Sequence, residues 1–303
     1  MKKTILILLV LCTFLPQLAF AGAWTLPRNN IWGEYYFKIA SSKREYDSNG
    51  KSIRKARGAR TWGWSMIPSI EFGVTDWLTA IWKIEYKQST YKEYARPGTW
   101  DPYTVKNHGV TETQVGARFR ILEDPVVLST QIKGFIYTGY ENGKDGLANQ
   151  PELSDGCDSL EWRWLIGKFF NTKIPMYTNL EFGYRWRNRD VANDIPFFGE
   201  FGFWPTKWLM VKTEIDGYWC HRGTGNIRKE SAVWRIGPVI QLLDLYRVLR
   251  GDELKGNQFA DDVTLKGKTL NLEIQYGETF WGRGFPNGYS QDHEVVFKIS
   301  GQY

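Results

Sequence analysis

The chain has 303 residues, a formal net charge of +6 and 16% aromatic residues, yet its mean hydropathy of -0.42 is polar. The charge is mild and its basic residues interleave with acids, which argues against a nucleic-acid partner. After residue 21 there is no run of about 18 apolar residues, which excludes spanning helices and leaves a periplasmic globule or a closed barrel.

The first 21 residues read as a secretory signal peptide: Lys2 and Lys3, an apolar run from Ile5 to Leu18, then Ala19-Phe20-Ala21 as the cleavage site. Cleavage there leaves a single domain over residues 22–303 and lowers the net charge from +6 by two lysines to +4. The Cys12 position lies inside that apolar run, so an exported chain keeps Cys157 and Cys220 in a disulfide-permissive compartment.

The period of two then governs the sequence. Residues 31–40 open with Trp32, Tyr35 and Tyr36, and a basic polar connection follows up to Arg60. Residues 61–74 send Trp62, Trp64, Met66, Ile70 and Phe72 to one side and Ser65, Ser69, Glu71 and Gly73 to the other. After the turn Thr75-Asp76-Trp77, residues 78–88 alternate Leu78, Ala80, Trp82, Ile84 and Tyr86 with Lys83, Glu85 and Lys87. A polar loop leads to residues 110–121, where Val115, Ala117, Phe119 and Ile121 oppose Glu112, Gln114, Arg118 and Arg120. Residues 126–140 carry Gln131 and Lys133 on the polar side. The next segment sets Leu160, Trp162, Trp164 and Ile166 against Glu161 and Arg163.

Residues 176–187 give the clearest instance, with Met176, Thr178, Leu180, Phe182, Tyr184 and Trp186 opposed to Asn179, Glu181, Gly183, Arg185 and Arg187. Residues 195–204 put Phe197, Phe201 and Phe203 opposite Glu200, and residues 208–219 follow. Residues 230–243 place Arg235 inward, and 268–279 place Asn271, Glu273 and Gln275 inward. Between these two lies a long connection, 244–267, in which 245–249 suit a short amphipathic helical turn. A last strand ends on Tyr303, making twelve in all.

Tight turns follow the second, fourth, sixth and eighth segments, and longer loops follow most of the others. This predicts an all-β fold: an antiparallel transmembrane β-barrel of about twelve strands in the outer membrane, with short periplasmic turns and longer outer loops. Trp62, Trp64, Trp162, Trp164, Trp186 and Trp219 fall at the loop ends and Trp77, Trp204 and Trp208 at the turn ends, as two aromatic girdles in contact with outer-membrane lipid would. The triplets Glu71-Phe72-Gly73, Glu181-Phe182-Gly183 and Glu200-Phe201-Gly202 recur, echoed by Gln275-Tyr276-Gly277, and an inward glycine frees lumen space.

The inward charges are of both signs: Lys83, Glu85, Arg118, Lys133, Glu161, Arg163, Glu181, Arg185, Glu200, Arg235 and Glu273 form the expected lumen and selectivity surface. Either they line a path that orients polar or zwitterionic solutes, or they pair across strands and fill a closed scaffold. A disulfide between Cys157 and Cys220, both placed in outer loops, is left open. His108, His221 and His293 lack ligand spacing, so neither a metal nor any cofactor is expected. The pairs His108 with Ser89 and His293 with Ser290 are the only footing for a third reading, a lipid-modifying enzyme at the rim. No catalytic role is expected.

Residues 22–27 (Gly-Ala-Trp-Thr-Leu-Pro) together with the hairpin 70–79 (Ile-Glu-Phe-Gly-Val-Thr-Asp-Trp-Leu-Thr) resemble the transporter-like outer-membrane barrels grouped with the meta-pathway phenol degradation proteins. The terminal residues 295–303 look like the recognition strand read by the barrel assembly machinery. The resemblance implies a channel or uptake role for a small-molecule solute and supplies no catalytic residues. The alternative is a non-conducting barrel that carries surface loops or docks a periplasmic partner on 244–267.

Overall fold

The computed structural model describes residues 22–94, 103–138, 151–221, 224–250, 268–285 and 289–302. Residues 1–21, expected to be a signal peptide, Tyr303 and residues 251–267 lie outside the described residues. The strands are β1 (Ile31–Tyr46), β2 (Ser52–Arg54), β3 (Arg60–Thr75), β4 (Leu78–Glu93), β5 (Tyr103–Leu122), β6 (Val127–Tyr137) and β7 (Ser159–Phe170). They continue as β8 (Met176–Arg187), β9 (Asp194–Thr206), β10 (Leu209–Cys220), β11 (Arg228–Gln241), β12 (Thr269–Phe285) and β13 (Tyr289–Gln302). A helix, α1 (Leu242–Arg250), follows β11 directly.

Each long strand pairs antiparallel with its neighbours in sequence, and β13 returns to β1 in a register that sets Trp32 against Gln302 and Ile39 against Val295. The short β2 adds only beside the outer end of β1, where Arg44 faces Arg54, so the closed wall has twelve strands. Closure leaves no sheet edge, which is the condition for a sheet to cross lipid. No described helix is long and apolar enough to span a membrane.

Side chains alternate across the wall as the sequence pattern requires. In β8, Leu180, Phe182 and Trp186 are exposed on the outside while Tyr177 and Asn179 are buried in the lumen. The strands are longer than their apolar pattern. The polar stretches on either side of residues 95–102 pair as β4 and β5, with Glu93 opposite Tyr103, and β12 runs on to Phe285. Beyond the lipid a ladder needs backbone pairing but no greasy face, so a pattern of greasy residues marks only the embedded part.

The recurrent inward glycines mark places where something else approaches the wall. A Cβ on Gly73 would lie 2.0 Å from the carbonyl oxygen of Pro27, and one on Gly202 would lie 2.1 Å from the ring of Tyr177.

Candidate functional site: a lumen with a segment across each end

Three layers occupy the lumen. At the turn end, residues 22–27 fold back into the barrel mouth rather than trailing away from β1. Their backbone is held by side chains of four strands: Ala23 N–H donates to Asn179 Oδ1 (3.1 Å), Leu26 N–H donates to Thr79 Oγ1 (2.8 Å), Arg118 Nη1 donates to the Trp24 carbonyl (2.9 Å), and Ser129 Oγ donates to the Ala23 carbonyl. Thr25 Oγ1 donates to the Asp76 carbonyl in the first turn (2.7 Å). The Trp24 side chain packs into two apolar clusters, one of Tyr177, Trp204, Met210 and Val239 and one with Ala23, Val127 and Leu165. Buried backbone polar groups demand partners, and here the wall supplies them.

Trp204 is therefore not a girdle residue. It is 3% exposed, inside the lumen, 5.5 Å from the Tyr177 ring between centroids. Its position has the parity of Glu200, which alternation puts inward. Of the other tryptophans, Trp77, Trp162, Trp186 and Trp219 are exposed on the outer face, and Trp62, Trp64, Trp164 and Trp208 are half-buried against neighbouring side chains.

The middle layer is a belt of ion pairs. Glu161, with 0% of its surface exposed, receives Lys133 (3.3 Å), Arg163 (2.6 Å) and Arg185 (2.6 Å), and Arg163 also reaches Glu181 (3.1 Å). Across the lumen Lys212 joins Glu200 (3.4 Å), Glu214 (2.8 Å) and Glu273 (2.8 Å), and Lys298 bridges Glu214 and Glu273 at 3.3 Å each. Arg235 binds Glu294 at 2.5 Å, Lys38 reaches the same carboxylate at 3.7 Å, and Arg118 pairs with Glu71 at 3.0 Å. Lys83 and Glu85 make no ion pair among the described residues; Glu85 accepts from Thr111 Oγ1 at 3.1 Å.

Lys38, Lys212, Arg187 and Glu294 belong to these layers although the sequence reading did not include them in the lumen set. All four have inward parity, so alternation carried through β1, β8, β10 and β13 finds them. Nothing in the pattern points to residues 22–27 or to the strap described next, since neither is a strand.

The outer layer is a cavity of about 590 Å³ lined by Lys38, Glu85, Lys87, Arg185, Asp155 and Asp292 among others. Residues 151–157, from the connection between β6 and β7, cross over it as a strap. Lys229 Nζ binds Glu152 and Asp155 at 3.0 Å each, Arg187 pairs with Asp155, Lys87 Nζ donates to the Leu153 carbonyl (2.9 Å), and Asn107 Nδ2 donates to the Pro151 carbonyl (3.1 Å). Cys157 lies on this strap and Cys220 is buried at the end of β10; both are free thiols, so no disulfide joins them. Burial pushes the Cys157 thiol pKa up.

The three histidines sit on the outside of the loop-end rim, each against an outward tyrosine: Tyr86 Oη lies 3.2 Å from His108 Nδ1, Tyr184 Oη 2.6 Å from His221 Nδ1, and Tyr276 Oη 3.1 Å from His293 Nδ1. Ser89 and Ser290 line the inner cavity instead. Each Ser–His pairing is thus split between opposite faces of the wall and forms no dyad. Among the described residues no cluster of His, Cys, Asp and Glu has the geometry of a metal site.

Among solved structures, the chain is similar to an outer membrane channel from Pseudomonas putida F1, with a TM-score of 0.61 and 13% identity over 95% of this chain and 100% of that one. The transport unit of the autotransporter AIDA-I from Escherichia coli (TM-score 0.44, 9% identity, 96% and 93% covered) and a FadL homologue from Pseudomonas aeruginosa (0.37, 10%, 91% and 90%) match at lower scores. No family model matches the sequence and no curated protein matches it. The fold is the closed antiparallel β-barrel that this outer membrane channel also has.

Proposed function

We propose that the protein is an outer-membrane channel that admits small polar or zwitterionic solutes at its loop end and is shut, in the conformation described, by residues 22–27 at its turn end. The observation that carries this reading is the outer cavity. Its volume of about 590 Å³ lies in the usual range of about 300–1,000 Å³ for small-molecule sites, and charges of both signs line it. A cavity of that size is wasteful in a barrel whose interior serves only as filling. The description of the similar Pseudomonas structure as a channel lends support.

The dense pairing of the belt favours a second reading, a non-conducting scaffold, because fully paired charges fill space as side chains of a core do. Planar-bilayer conductance separates the two. The refolded protein is compared with Arg185→Ala, Glu181→Ala and a form lacking residues 22–27. The channel reading expects conductance that rises on deletion, with ion preference moving toward cations in Arg185→Ala and toward anions in Glu181→Ala. A folded, inserted barrel that stays silent even without residues 22–27 sinks the channel and leaves the scaffold.

A further inference from the structure

Helix α1 contributes no residue to the lining of the outer cavity. It begins at the residue after β11, and at that junction the Gln241 N–H donates to the Trp208 carbonyl at 2.8 Å. Trp208 sits at the turn end of the wall, so α1 starts at the level of the periplasmic aromatic girdle. In β11 the exposed, outward positions Trp234 and Ile236 share the parity of Ile240, so the last outward residue of the strand before the helix belongs to its lipid-facing side.

The helix is amphipathic in the manner of a surface-lying segment. At 3.6 residues per turn, positions 242, 245, 246 and 249 form one apolar face of Leu, Leu, Tyr and Leu, while 244, 247 and 250 supply Asp and two Arg on the other. A helix on a soluble protein turns its greasy face to the body. Here part of that face is bare: Leu249 is 77% exposed and Tyr246 64%, while Leu242 and Leu245 are half-buried.

We infer that α1 lies in the periplasmic leaflet of the membrane, with Tyr246 and Leu249 inserted among phospholipid acyl chains and the arginine-bearing face toward the headgroups. The occupant of its apolar face is lipid rather than a second protein, because that face prolongs the lipid-facing wall at girdle height. A short helix with a greasy face, a tyrosine and cationic flanks has the composition of an interfacial segment. On this view the long connection between β11 and β12, where the other connections at that end are tight turns, is a membrane-surface device rather than a docking platform.

The test places an environment-sensitive fluorophore on single cysteines in the full barrel, with Cys157 and Cys220 replaced by serine, reconstituted into phosphatidylethanolamine/phosphatidylglycerol vesicles. The positions are Leu249→Cys and Tyr246→Cys on the apolar face and Asp244→Cys on the polar one, and heat-dependent gel mobility verifies folding of each. Expected are strong quenching at 249 and 246 by lipids carrying a doxyl group high in the acyl chain, and at least fivefold weaker quenching there than at 244 by aqueous iodide. Iodide reaching 249 and 246 as readily as 244, with no doxyl quenching, overturns the proposal and returns the face to a protein partner. Either apolar position decides the question if the other variant fails to fold.

Discussion

The segments that cross the two ends of the lumen are held by different chemistry. At the turn end the closing segment is apolar: Ala23 and Trp24 pack against Tyr177, Trp204, Val127 and Leu165, with backbone groups handed to wall side chains. At the loop end the closing strap is polar, held by Asp155 and Glu152 on Lys229 and Arg187. Apolar packing excludes water and depends little on pH or salt, whereas a partly exposed ionic latch depends on both. On the channel reading, the turn end is the tight seal and the loop end the responsive cover. The ion-pair belt between them is the part that must stay intact for either to have a frame.

The sharpest way to break this comparison is to remove the centre of the belt. Glu161→Ala leaves Lys133, Arg163 and Arg185 facing one another, with Arg163 keeping only Glu181 and Arg185 only Asp194 at 3.9 Å. Stranding buried charge costs about 3–5 kcal/mol. The expected outcome is a barrel whose urea midpoint in detergent falls by far more than that of Lys83→Ala, which breaks no ion pair among the described residues. Equal midpoints would mean that water, not Glu161, neutralises the three cations.

Next in size is the turn-end seal. Trp24→Ala removes the ring that joins the two apolar clusters, and a partly buried tryptophan of this kind holds the segment by about 2–3 kcal/mol. That corresponds to a roughly 30- to 160-fold larger fraction of time with the segment undocked. Single-channel recordings should show open time increased on that scale, while Trp77→Ala, exposed on the outer face, leaves it unchanged. The two substitutions remove the same side chain, so a similar response would erase the distinction between lumen and girdle tryptophans.

The same contrast shows what the sequence reveals. Alternation is a direct record of a wall between two solvents, so strand number, the inward acids and bases, and the outward tryptophans follow from it. Trp204 shows the cost of weighing residue type above position, since its parity is that of Glu200 and only its identity suggests a girdle. Strand ends were not legible where β4 and β5 leave the lipid, because pairing in water imposes no pattern. Both closing segments were illegible for a related reason. A segment that enters a lumen adapts to surfaces built by distant strands: Ala23 bonds to Asn179 and Asp155 to Lys229, contacts with no local signature in the chain. The glycines of the recurrent triplets are the partial exception. The space at Gly73 and Gly202 is readable as space, but not that Pro27 and Tyr177 fill it.

The smallest effect belongs to the latch, and it carries a defined pH signature. Burial by itself would raise the Asp155 carboxyl, but the Lys229 ammonium and the Arg187 guanidinium outweigh it and hold the carboxyl well below the usual carboxylate range. A group depressed in this way contributes stability that is complete above its unfolded pKa of about 3.9 and is lost as pH falls through the folded value. The strap should thus stay closed from neutral pH down to about pH 4 and loosen only in stronger acid. Asp155→Asn keeps the shape and removes the charge, at a cost of about 1–3 kcal/mol for hydrogen bonds to charged partners. Cys157, on the strap itself, reports opening. In a Cys220→Ser background its reaction with a dipyridyl disulfide, which proceeds in acid, should be about tenfold faster or more in Asp155→Asn. Taking the ratio of variant to parent at each pH cancels the thiol's own titration. The ratio should be flat from pH 8 to 5 and decline toward one below about pH 4, as the parent's carboxylate takes up its proton. A ratio that collapses between pH 7 and 5 would assign the latch to some other titrating group, and a ratio of one throughout would show that Glu152 and the Leu153 carbonyl hold the strap without Asp155.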